Sequence, residues 1–427
     1  MDSVAVLVEL TRNAMSGGQV KSWERFAESA AGLPDGLVPD LTVYFLGERD
    51  HVETLAPHVR FVMLRPVLGT ARLSSAEGAG DATDLAPYHP RLAALLPRHD
   101  VWHLTHSFAY ATTAVRLARA AARRGDPVPR LVASVHTDVP RLAAVYTRHL
   151  ADRALPLPGH HPGDVLADQA ERWLRRRRDR LLGACERVLV PTPAGRAELA
   201  PLLGPHRVGP LRRGTDHDRF HPDPTARALL THRHGLPADR PLVLFAGRLD
   251  ASKGLPLLAH ALRLLRDRGD AAHLVMVGSG AETGAVHRLL GADATLLGPL
   301  PQDRLAEVYA GCDVFAFPSR TETCGNVVAE AMASGLAVLL PEGATTTQWL
   351  SAPGRDGIVV PADDPHTWAD ALATLVTDPH HLTGVRRAAA ATARHHHPTW
   401  TRVLTEDLLP HWTRPSPDDH TPPAHAA

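Results

Sequence analysis

PLVLFAGRLDASKGLPLLAHALRLLRD (241–267) joins a short apolar run to an amphipathic stretch through a loop that contains Gly247 and Lys253. The apolar run 241–247 predicts a buried strand, and the apolar spacing of 254–268 predicts a helix. The same alternation continues through the second half of the chain. Further strands are predicted at HLVMVG (273–278), DVFAFPS (313–319), LAVLLP (336–341) and GIVVP (357–361), and further helices at 302–311, 325–334 and 365–377. Strands that alternate with helices predict a parallel sheet with helices on both faces.

The first half of the chain shows the same alternation. Its predicted strands are VAVLVE (4–9), LTVYFL (41–46), VRFVML (59–64), VWHL (101–104), LVASV (131–135) and RVLVP (187–191), with helices at 108–124 and 165–184. The sequence therefore predicts an α/β fold of two doubly wound, Rossmann-like domains that face each other across a cleft. Ligands of such folds bind at the carboxyl ends of the strands.

The polar segment GTDHDRFHPDPT (214–225) is the predicted linker. It divides an amino-terminal domain, 1–213, from a carboxyl-terminal domain, 214–390. A helical segment, 391–412, is expected to return to the first domain, and the Pro-rich remainder, 413–427, is expected to be disordered.

Composition excludes several classes of protein. The 427 residues carry a formal net charge of zero, which argues against a nucleic-acid binder. No apolar run approaches the roughly 20 residues of a membrane span, and the start does not resemble a signal peptide. The cysteines, Cys185, Cys312 and Cys324, have no metal-binding spacing, and the triplet HHH (395–397) has no second ligand cluster beside it. The sequence thus predicts a cytoplasmic protein without a metal or other cofactor.

Lysine and asparagine are almost absent from this Arg-rich chain. They occur only as Lys21, Lys253, Asn13 and Asn326. Lysine is a compact point charge and arginine a planar fork, so the two are not interchangeable at a tight phosphate site. All four residues fall in or beside the loops that carry the candidate site residues, which supports a functional interpretation of those loops.

The loop GRLDASKG (247–254) has the features of a phosphate site. Gly247 allows the backbone to turn sharply and approach a ligand. The start of the following helix offers free N–H groups and the positive end of a dipole. Arg248 and Lys253 add two cations, which would stabilise the charge that grows on a diphosphate leaving group. The alternative is a plain helix start with two surface cations.

The segment SRTETCGNVVAEAMASG (319–335) also lies between a strand and a helix. It presents Glu322 in the loop and Glu330 about two turns later. Four residues between them place backbone N–H groups at the helix start, namely Thr323, Cys324, Gly325 and Asn326. Carboxylates accept hydrogen bonds from sugar hydroxyls, and such amides suit phosphate. The alternative is two solvated glutamates at a helix start.

Together these loops resemble glycosyltransferase family four, which has the GT-B fold. The resemblance extends from GTDHDRFHP (214–222) to GIVVPADDP (357–365) and is carried by the order and spacing of its motifs. It also covers VMVGSG (275–280), GPLPQDRL (298–305) and CDVFAFPS (312–319). It implies that the second domain binds a nucleotide sugar and that the first lies on the acceptor side.

The resemblance implies a role for each matching residue. Arg248 and Lys253 would bind the diphosphate of the donor, and Glu322 would contact the transferred sugar. Glu330 would bind the ribose, and Leu300 would lie at the nucleobase.

Two features depart from the family's pattern. Cys324 stands where an aromatic residue is usual, with little expected effect on mechanism. LLPEGATTTQWL (339–350) lacks the usual paired glycines and acidic residue, so the sequence leaves this part of the donor site undefined.

The first half resembles the family more weakly. Gly17 and Gly18 match its glycine loop, where backbone packs against the donor phosphate, and Asn13 and Lys21 flank them. The alternative is a plain turn between a strand and a helix. His136 follows a buried strand in SVHTDVP (134–140) and matches the active-site histidine that contacts the reacting sugar. 

Three other residues of the first half are weaker candidates. Asp138 could face the acceptor, and His103 and His106 lie near another strand end. A histidine at such a place is more often structural.

The resemblance implies transfer of a hexosyl group from a nucleoside diphosphate sugar to an acceptor hydroxyl, with retention of configuration and without a metal ion. GDP-mannose and UDP-glucose remain open as donors, and a lipid, glycan or small metabolite as acceptor. A nucleotide-sugar epimerase and a non-catalytic sugar-nucleotide binding protein are the alternatives. A nicotinamide-dependent dehydrogenase is disfavoured because no strand is followed by G-x-G-x-x-G. The basic stretch ERWLRRRRDRLL (171–182) suggests either peripheral membrane contact or a solvated helix face.

Overall fold

The computed structural model describes residues 2–13, 16–70, 83–136 and 162–413, which form two units. The chain passes from unit 1 to unit 2 between Arg212 and Arg213, and returns to unit 1 between Trp400 and Thr401. Asp138 and the predicted tail beyond Thr413 lie outside the described residues.

Unit 1 is built on a sheet whose eight described strands have the order β3-β4-β2-β1-β5-β6-β7-β8. The strands are β1 (Ser3–Thr11), β2 (Asp40–Leu46), β3 (His51–Ala56), β4 (Val59–Leu64), β5 (Val101–Leu104), β6 (Arg130–Ser134), β7 (Arg187–Val190) and β8 (Val208–Pro210). The order reverses between β1 and β5, which marks the point where doubly wound sheets bind ligands.

One strand of unit 1 departs from the predicted parallel arrangement. β3 pairs antiparallel with β4, whereas the other pairings of this sheet are parallel. Only Pro57 and His58 connect the two strands. A connection of two residues can form a hairpin but cannot cross over to a parallel neighbour. The pattern of HVETLA (51–56) did not lead to a predicted strand because all six of its side chains are exposed or half-buried.

Helices cover this sheet. They are α1 (Gly18–Ala31), α2 (Pro90–Leu95), α3 (Ala109–Arg124), α4 (Pro162–Leu182) and α5 (Pro193–Leu203), with short 3₁₀ turns at Leu96–Arg98 and Pro205–Arg207. The observed α3 and α4 agree closely with the predicted 108–124 and 165–184. Large buried side chains, including Tyr110 and Trp102, fill the core between helices and sheet.

Unit 2 has a six-stranded parallel sheet with the order β11-β10-β9-β12-β13-β14. The strands are β9 (Leu242–Ala246), β10 (His273–Val277), β11 (Ala294–Gly298), β12 (Val314–Ala316), β13 (Ala337–Pro341) and β14 (Ile358–Val360). The helices are α6 (Ala226–His234), α7 (Leu255–Asp267), α8 (Thr283–Leu290), α9 (Gln302–Gly311), α10 (Asn326–Ala333), α11 (Pro365–Val376) and α12 (Pro379–His396), with 3₁₀ turns at Ala251–Lys253, Gly291–Asp293 and Thr345–Trp349. The order reverses between β9 and β12, so the loops that follow these two strands meet at the binding edge.

The last described segment continues the fold after α12. It contains α13 (Trp400–Val403), a π-helical turn at Leu404–Leu408 and α14 (Leu409–Trp412). In unit 1 the buried Asp407 carboxylate accepts hydrogen bonds from Arg212, one of them from the backbone N–H at 2.8 Å. This charge-assisted contact fixes the segment to the end of β8, and Trp412, near the end of the segment, is fully buried.

Candidate functional site

Lys253 and Glu322 form an ion pair in unit 2. Lys253 Nζ lies 2.5 Å from Glu322 Oε1 and also donates to Thr321 Oγ1 at 3.2 Å. The two side chains are 12% and 26% exposed, so the pair is largely shielded from water. Lys253 follows β9 and Glu322 follows β12, the two strands at which the order reverses. The structure therefore brings together a cation and a carboxylate that the sequence placed 69 residues apart.

A 3₁₀ turn, Ala251–Lys253, positions the lysine. Asp250 caps this turn by accepting from Lys253 N at 3.2 Å and from Ser252 Oγ at 2.6 Å. Gly254 then ends it with φ 76°, and a Cβ atom there would lie 2.8 Å from Pro318 Cβ. Only glycine fits this left-handed position against the loop after β12.

The predicted helix 254–268 is observed as Leu255–Asp267, so Lys253 precedes the first turn of this helix, as the predicted bounds place it. Gly247 follows β9 directly with φ 143°, and Arg248 is exposed, with Nε 3.6 Å from Asp250 Oδ2. The two predicted cations thus share one loop.

The acidic loop leads into α10. Thr323 is half-buried and Cys324 is buried, and Gly325 is the amino-terminal cap residue before Asn326, the first residue of α10. Glu330 lies one turn further along the helix. Its carboxylate lies beside Tyr309. The pKa of that phenol is raised mainly by burial, and the negative charge of Glu330 raises it further.

The segment 339–350, which the sequence left undefined, holds the acidic loop in place. Thr345 Oγ1 donates to the Glu322 carbonyl oxygen at 2.7 Å, and Trp349 Nε1 donates to the Cys324 carbonyl oxygen at 2.6 Å. A Cβ atom on Gly325 would lie 2.5 Å from Thr346 Cγ2. The sequence did not predict these roles of Thr345 and Trp349, because their partners are backbone carbonyl oxygens, which no side-chain motif marks.

Leu300, the predicted nucleobase contact, follows β11. It is half-buried and packs against the apolar core of unit 2. The described residues hold no group of three or more His, Cys, Asp or Glu side chains placed to bind a metal ion.

The glycine loop of unit 1 lies between β1 and α1. Gly17 is the cap residue of α1, and a Cβ atom on Gly18 would meet open space. Asn13 N donates to Ser16 Oγ at 2.7 Å, which closes the turn. Lys21 Nζ pairs with Glu24 Oε2 at 3.0 Å on the surface of α1. The structure thus gives Lys21 an ion-pair partner within its own helix.

His136 belongs to a buried chain of hydrogen bonds in unit 1. Its Nε2 lies 2.6 Å from Ser134 Oγ, and the same hydroxyl lies 2.8 Å from His103 Nε2. Trp412 Nε1 donates to His103 Nδ1 at 2.9 Å. Burial lowers the pKa of His103 to about 3, so this ring is neutral. His103 is therefore not an isolated structural histidine, since it is bonded through Ser134 to the candidate active-site residue.

His106 lies at the other weaker position. Its Nδ1 lies 2.8 Å from Thr105 Oγ1 and 3.5 Å from Gln19 Nε2 of α1. These contacts join the loop after β5 to the start of α1, so His106 helps to position that loop against the helix.

Glu9 was not among the predicted residues, because it sits inside an apolar strand. Its carboxylate is fully buried and accepts from the backbone N–H groups of Phe108, Tyr110 and Ala111 at 2.9 to 3.2 Å. It thus caps α3 from the neighbouring strand β1. Burial raises its pKa to about 8 despite these three donors.

The arginines of the basic stretch in α4 are largely engaged within unit 1. Arg175 pairs with Glu171 and Glu198, and Arg178 also pairs with Glu198. Arg177 donates to the Ser107 carbonyl oxygen at 2.8 Å. Among the described helices, none combines the length and apolar character that a bilayer crossing requires.

A family model described as glycosyl transferases group 1 matches residues 240–378, which contain the Lys253–Glu322 pair. A GDP-mannose-dependent alpha-mannosyltransferase of Mycobacterium tuberculosis is 32% identical over 294 residues, covering 69% of this chain and 68% of that protein. A D-inositol 3-phosphate glycosyltransferase of Xylanimonas cellulosilytica is 32% identical over 282 residues, covering 62% of this chain. The chain spans between 57% and 63% of the length of that relative and two similar ones.

A solved structure is similar over nearly the whole chain. Sucrose-phosphate synthase from Thermosynechococcus elongatus gives a TM-score of 0.67 at 19% identity, covering 95% of this chain and 96% of that one. At this identity the likeness concerns the fold, which is the GT-B fold expected from the sequence.

Proposed function

Because the chain belongs to the glycosyl transferases group 1 family, we propose that it transfers a hexosyl group from a nucleoside diphosphate sugar to an acceptor hydroxyl, with retention of configuration. The observation that carries this proposal is the shielded Lys253–Glu322 pair at the strand-order reversal of unit 2. A diphosphate leaving group gains negative charge as its bond to the sugar breaks. A fixed cation that is poorly hydrated stabilises that charge strongly.

The remaining residues of unit 2 complete the proposed donor site. Arg248 adds a second cation on the same loop, and the backbone amides of Cys324 to Asn326 lie at the start of α10. Glu322 accepts hydrogen bonds from the transferred sugar, and Glu330 accepts them from the ribose. His136 of unit 1 contacts the reacting sugar. No metal ion is required, since Lys253 and Arg248 supply the positive charge.

GDP-mannose is the donor we propose, ahead of UDP-glucose. The relative of which the chain covers 68% is named for its dependence on GDP-mannose. An inositol-type hydroxyl is the first acceptor to test, because other relatives are named for D-inositol 3-phosphate.

The test is an incubation of the purified protein with GDP-mannose or UDP-glucose, with and without a panel of cyclitol, glycan and lipid acceptors. We expect release of GDP that rises when the correct acceptor is present, and a product whose anomeric proton coupling shows retention. Conversion of the donor to another nucleotide sugar without release would indicate an epimerase. Donor binding with neither transfer nor slow hydrolysis would indicate a binding protein.

A further inference from the structure

The buried chain from Trp412 to His136 has a direction that the hydrogen-bonding chemistry determines. An indole N–H can only donate, so His103 Nδ1 accepts from Trp412 at 2.9 Å and carries no proton. A neutral imidazole keeps its one proton on the other nitrogen. His103 Nε2 therefore donates to Ser134 Oγ, 2.8 Å away.

The hydroxyl of Ser134 lies between His103 and His136, and its hydrogen bonds have the same direction. This hydroxyl has one proton, and it accepts from His103. Within the described residues, the remaining partner of this hydroxyl is His136 Nε2, at 2.6 Å. The hydroxyl therefore donates to His136, and Nε2 of that ring is an acceptor.

We propose that Trp412 is a positioning residue that, through His103 and Ser134, holds His136 in the neutral form protonated at Nδ1. In this form His136 serves the reaction as a hydrogen-bond donor from Nδ1, and its Nε2 cannot act as a base. The role of His136 toward the sugar rests on the proposed function, whereas the hydrogen-bond direction does not.

Burial supports a single arrangement. His103, Ser134 and His136 are 0%, 3% and 3% exposed, and Trp412 is fully buried. An unmade hydrogen bond in such surroundings is costly, so reversing the chain would leave the indole N–H facing another N–H. The ring of Trp23 packs edge-on against His103 and His136, with centroids 5.1 Å and 5.5 Å away, a contact that a phenyl ring can also make.

The test measures which ring nitrogens carry protons. Protein labelled with ¹⁵N-histidine gives two-bond proton–nitrogen spectra, and His103→Gln and His136→Gln variants assign the two rings. We expect a proton on Nε2 of His103 and on Nδ1 of His136, each in roughly tenfold excess, as one hydrogen bond would give. A proton on Nε2 of His136 in the unmodified protein would overturn the proposal.

Three variants separate direction from packing. Trp412→Phe should turn both rings into mixtures of forms, and Ser134→Ala should change His136 while leaving His103 as it was. Trp23→Phe is the matched control, since within the described residues its buried indole nitrogen has no hydrogen-bond partner, and it should change neither ring. If Trp412→Phe does not fold, Ser134→Ala decides. An unchanged His136 in Ser134→Ala would refute the relay.

These spectra need neither donor nor acceptor, so they stand apart from the proposed transfer reaction. If transfer is observed, Ser134→Ala should lower kcat about tenfold and leave KM for the donor nearly unchanged. Correct proton positions without any transfer would contradict the proposed function and leave the relay intact.

Discussion

Both sheets reverse their strand order beside their first strand, yet the side chains gathered there differ in kind. In unit 2 the loops after β9 and β12 carry Lys253, Glu322 and Arg248, all charged and partly accessible. In unit 1 the ends of β5 and β6 carry His103 and Ser134, which are buried and uncharged. One region is suited to bind an anion, whereas the other holds a ring in one orientation and one protonation state.

The difference follows from what each loop is packed against. The loop after β12 is held through its backbone carbonyl oxygens, which accept from the side chains of Thr345 and Trp349. These contacts do not use the Glu322 carboxylate, which pairs with Lys253. His103 of unit 1, in contrast, packs edge-on against the rings of Trp23 and Trp412. The predictions below test this contrast, in order of decreasing expected effect.

Replacing Lys253 by Ala should lower kcat by roughly 10² to 10³, because the charge it meets grows in the transition state. The measurement is steady-state kinetics with the donor saturating. Arg263→Ala, which removes an exposed cation from α7, is the control and should change kcat little. Equal turnover in the two variants would remove the lysine from the mechanism.

Acid should destabilise unit 1 through its buried histidines. Burial lowers the pKa of His99 to about 4 and of His103 and His106 to about 3, from 6.5. Below pH 6.5 the unfolded chain therefore binds protons that the folded unit does not, and the free energy of unfolding falls as the pH falls. Glu9 acts in the opposite direction, because its raised pKa means that the folded state holds a proton more tightly. The stability lost through the three histidines exceeds the stability gained through the one carboxyl group of Glu9.

His103→Gln should make this loss smaller by about 2 kcal/mol between pH 7 and pH 5, roughly a thirtyfold change in the unfolding equilibrium. The measurement is chemical unfolding of the variant and the unmodified protein at both pH values. His273→Gln in unit 2 is the matched control, since the pKa of His273 is also lowered by burial, but the ring is less deeply enclosed. An identical pH slope in His103→Gln and the unmodified protein would contradict the neutral, buried histidine.

Glu330→Ala should weaken binding of the nucleoside diphosphate about tenfold, as expected for a lost charge-assisted hydrogen bond to the ribose, with a smaller effect on kcat. Calorimetric titration measures this affinity. Pyrophosphate, which has no ribose, should bind both proteins alike. A parallel loss for pyrophosphate would place Glu330 at the phosphates.

Trp349→Phe should have the smallest effect, a loss of donor affinity of about threefold. The indole N–H that holds the Cys324 carbonyl is removed, while most of the ring contacts remain. The same titration measures it. Trp368→Phe controls for the loss of ring volume, because the buried indole nitrogen of Trp368 has no hydrogen-bond partner among the described residues.

Local patterns predicted five of the six strands of unit 2, and the predicted helix 302–311 has the observed bounds. They missed β11, because only one of its five side chains is buried. The same patterns failed where side chains were unusual for their element. Three of the six side chains of β3 are exposed and the other three are half-buried, so no apolar alternation marks this strand.

The candidate site residues also differ in how far local sequence patterns predict them. Lys253 and Glu322 could be predicted because each lies in a motif, although their 2.5 Å contact could not. The hydrogen bond between Trp412 and His103 joins residues 309 positions apart, and neither residue lies in a motif that predicts contact with the other. Such contacts depend on how the chain returns to unit 1, which periodicity does not encode.

The order in which a ribosome makes the chain gives this return a consequence. Domains generally fold as they emerge, the amino-terminal one first. Here unit 1 takes its last core residues from Thr401 onward, while every described residue of unit 2 lies between Arg213 and Trp400. Unit 2 can therefore complete its fold during synthesis while unit 1 still lacks Trp412. The pocket around Trp23 and His103 therefore stays open in the nascent chain until the segment Thr401–Trp412 has been made.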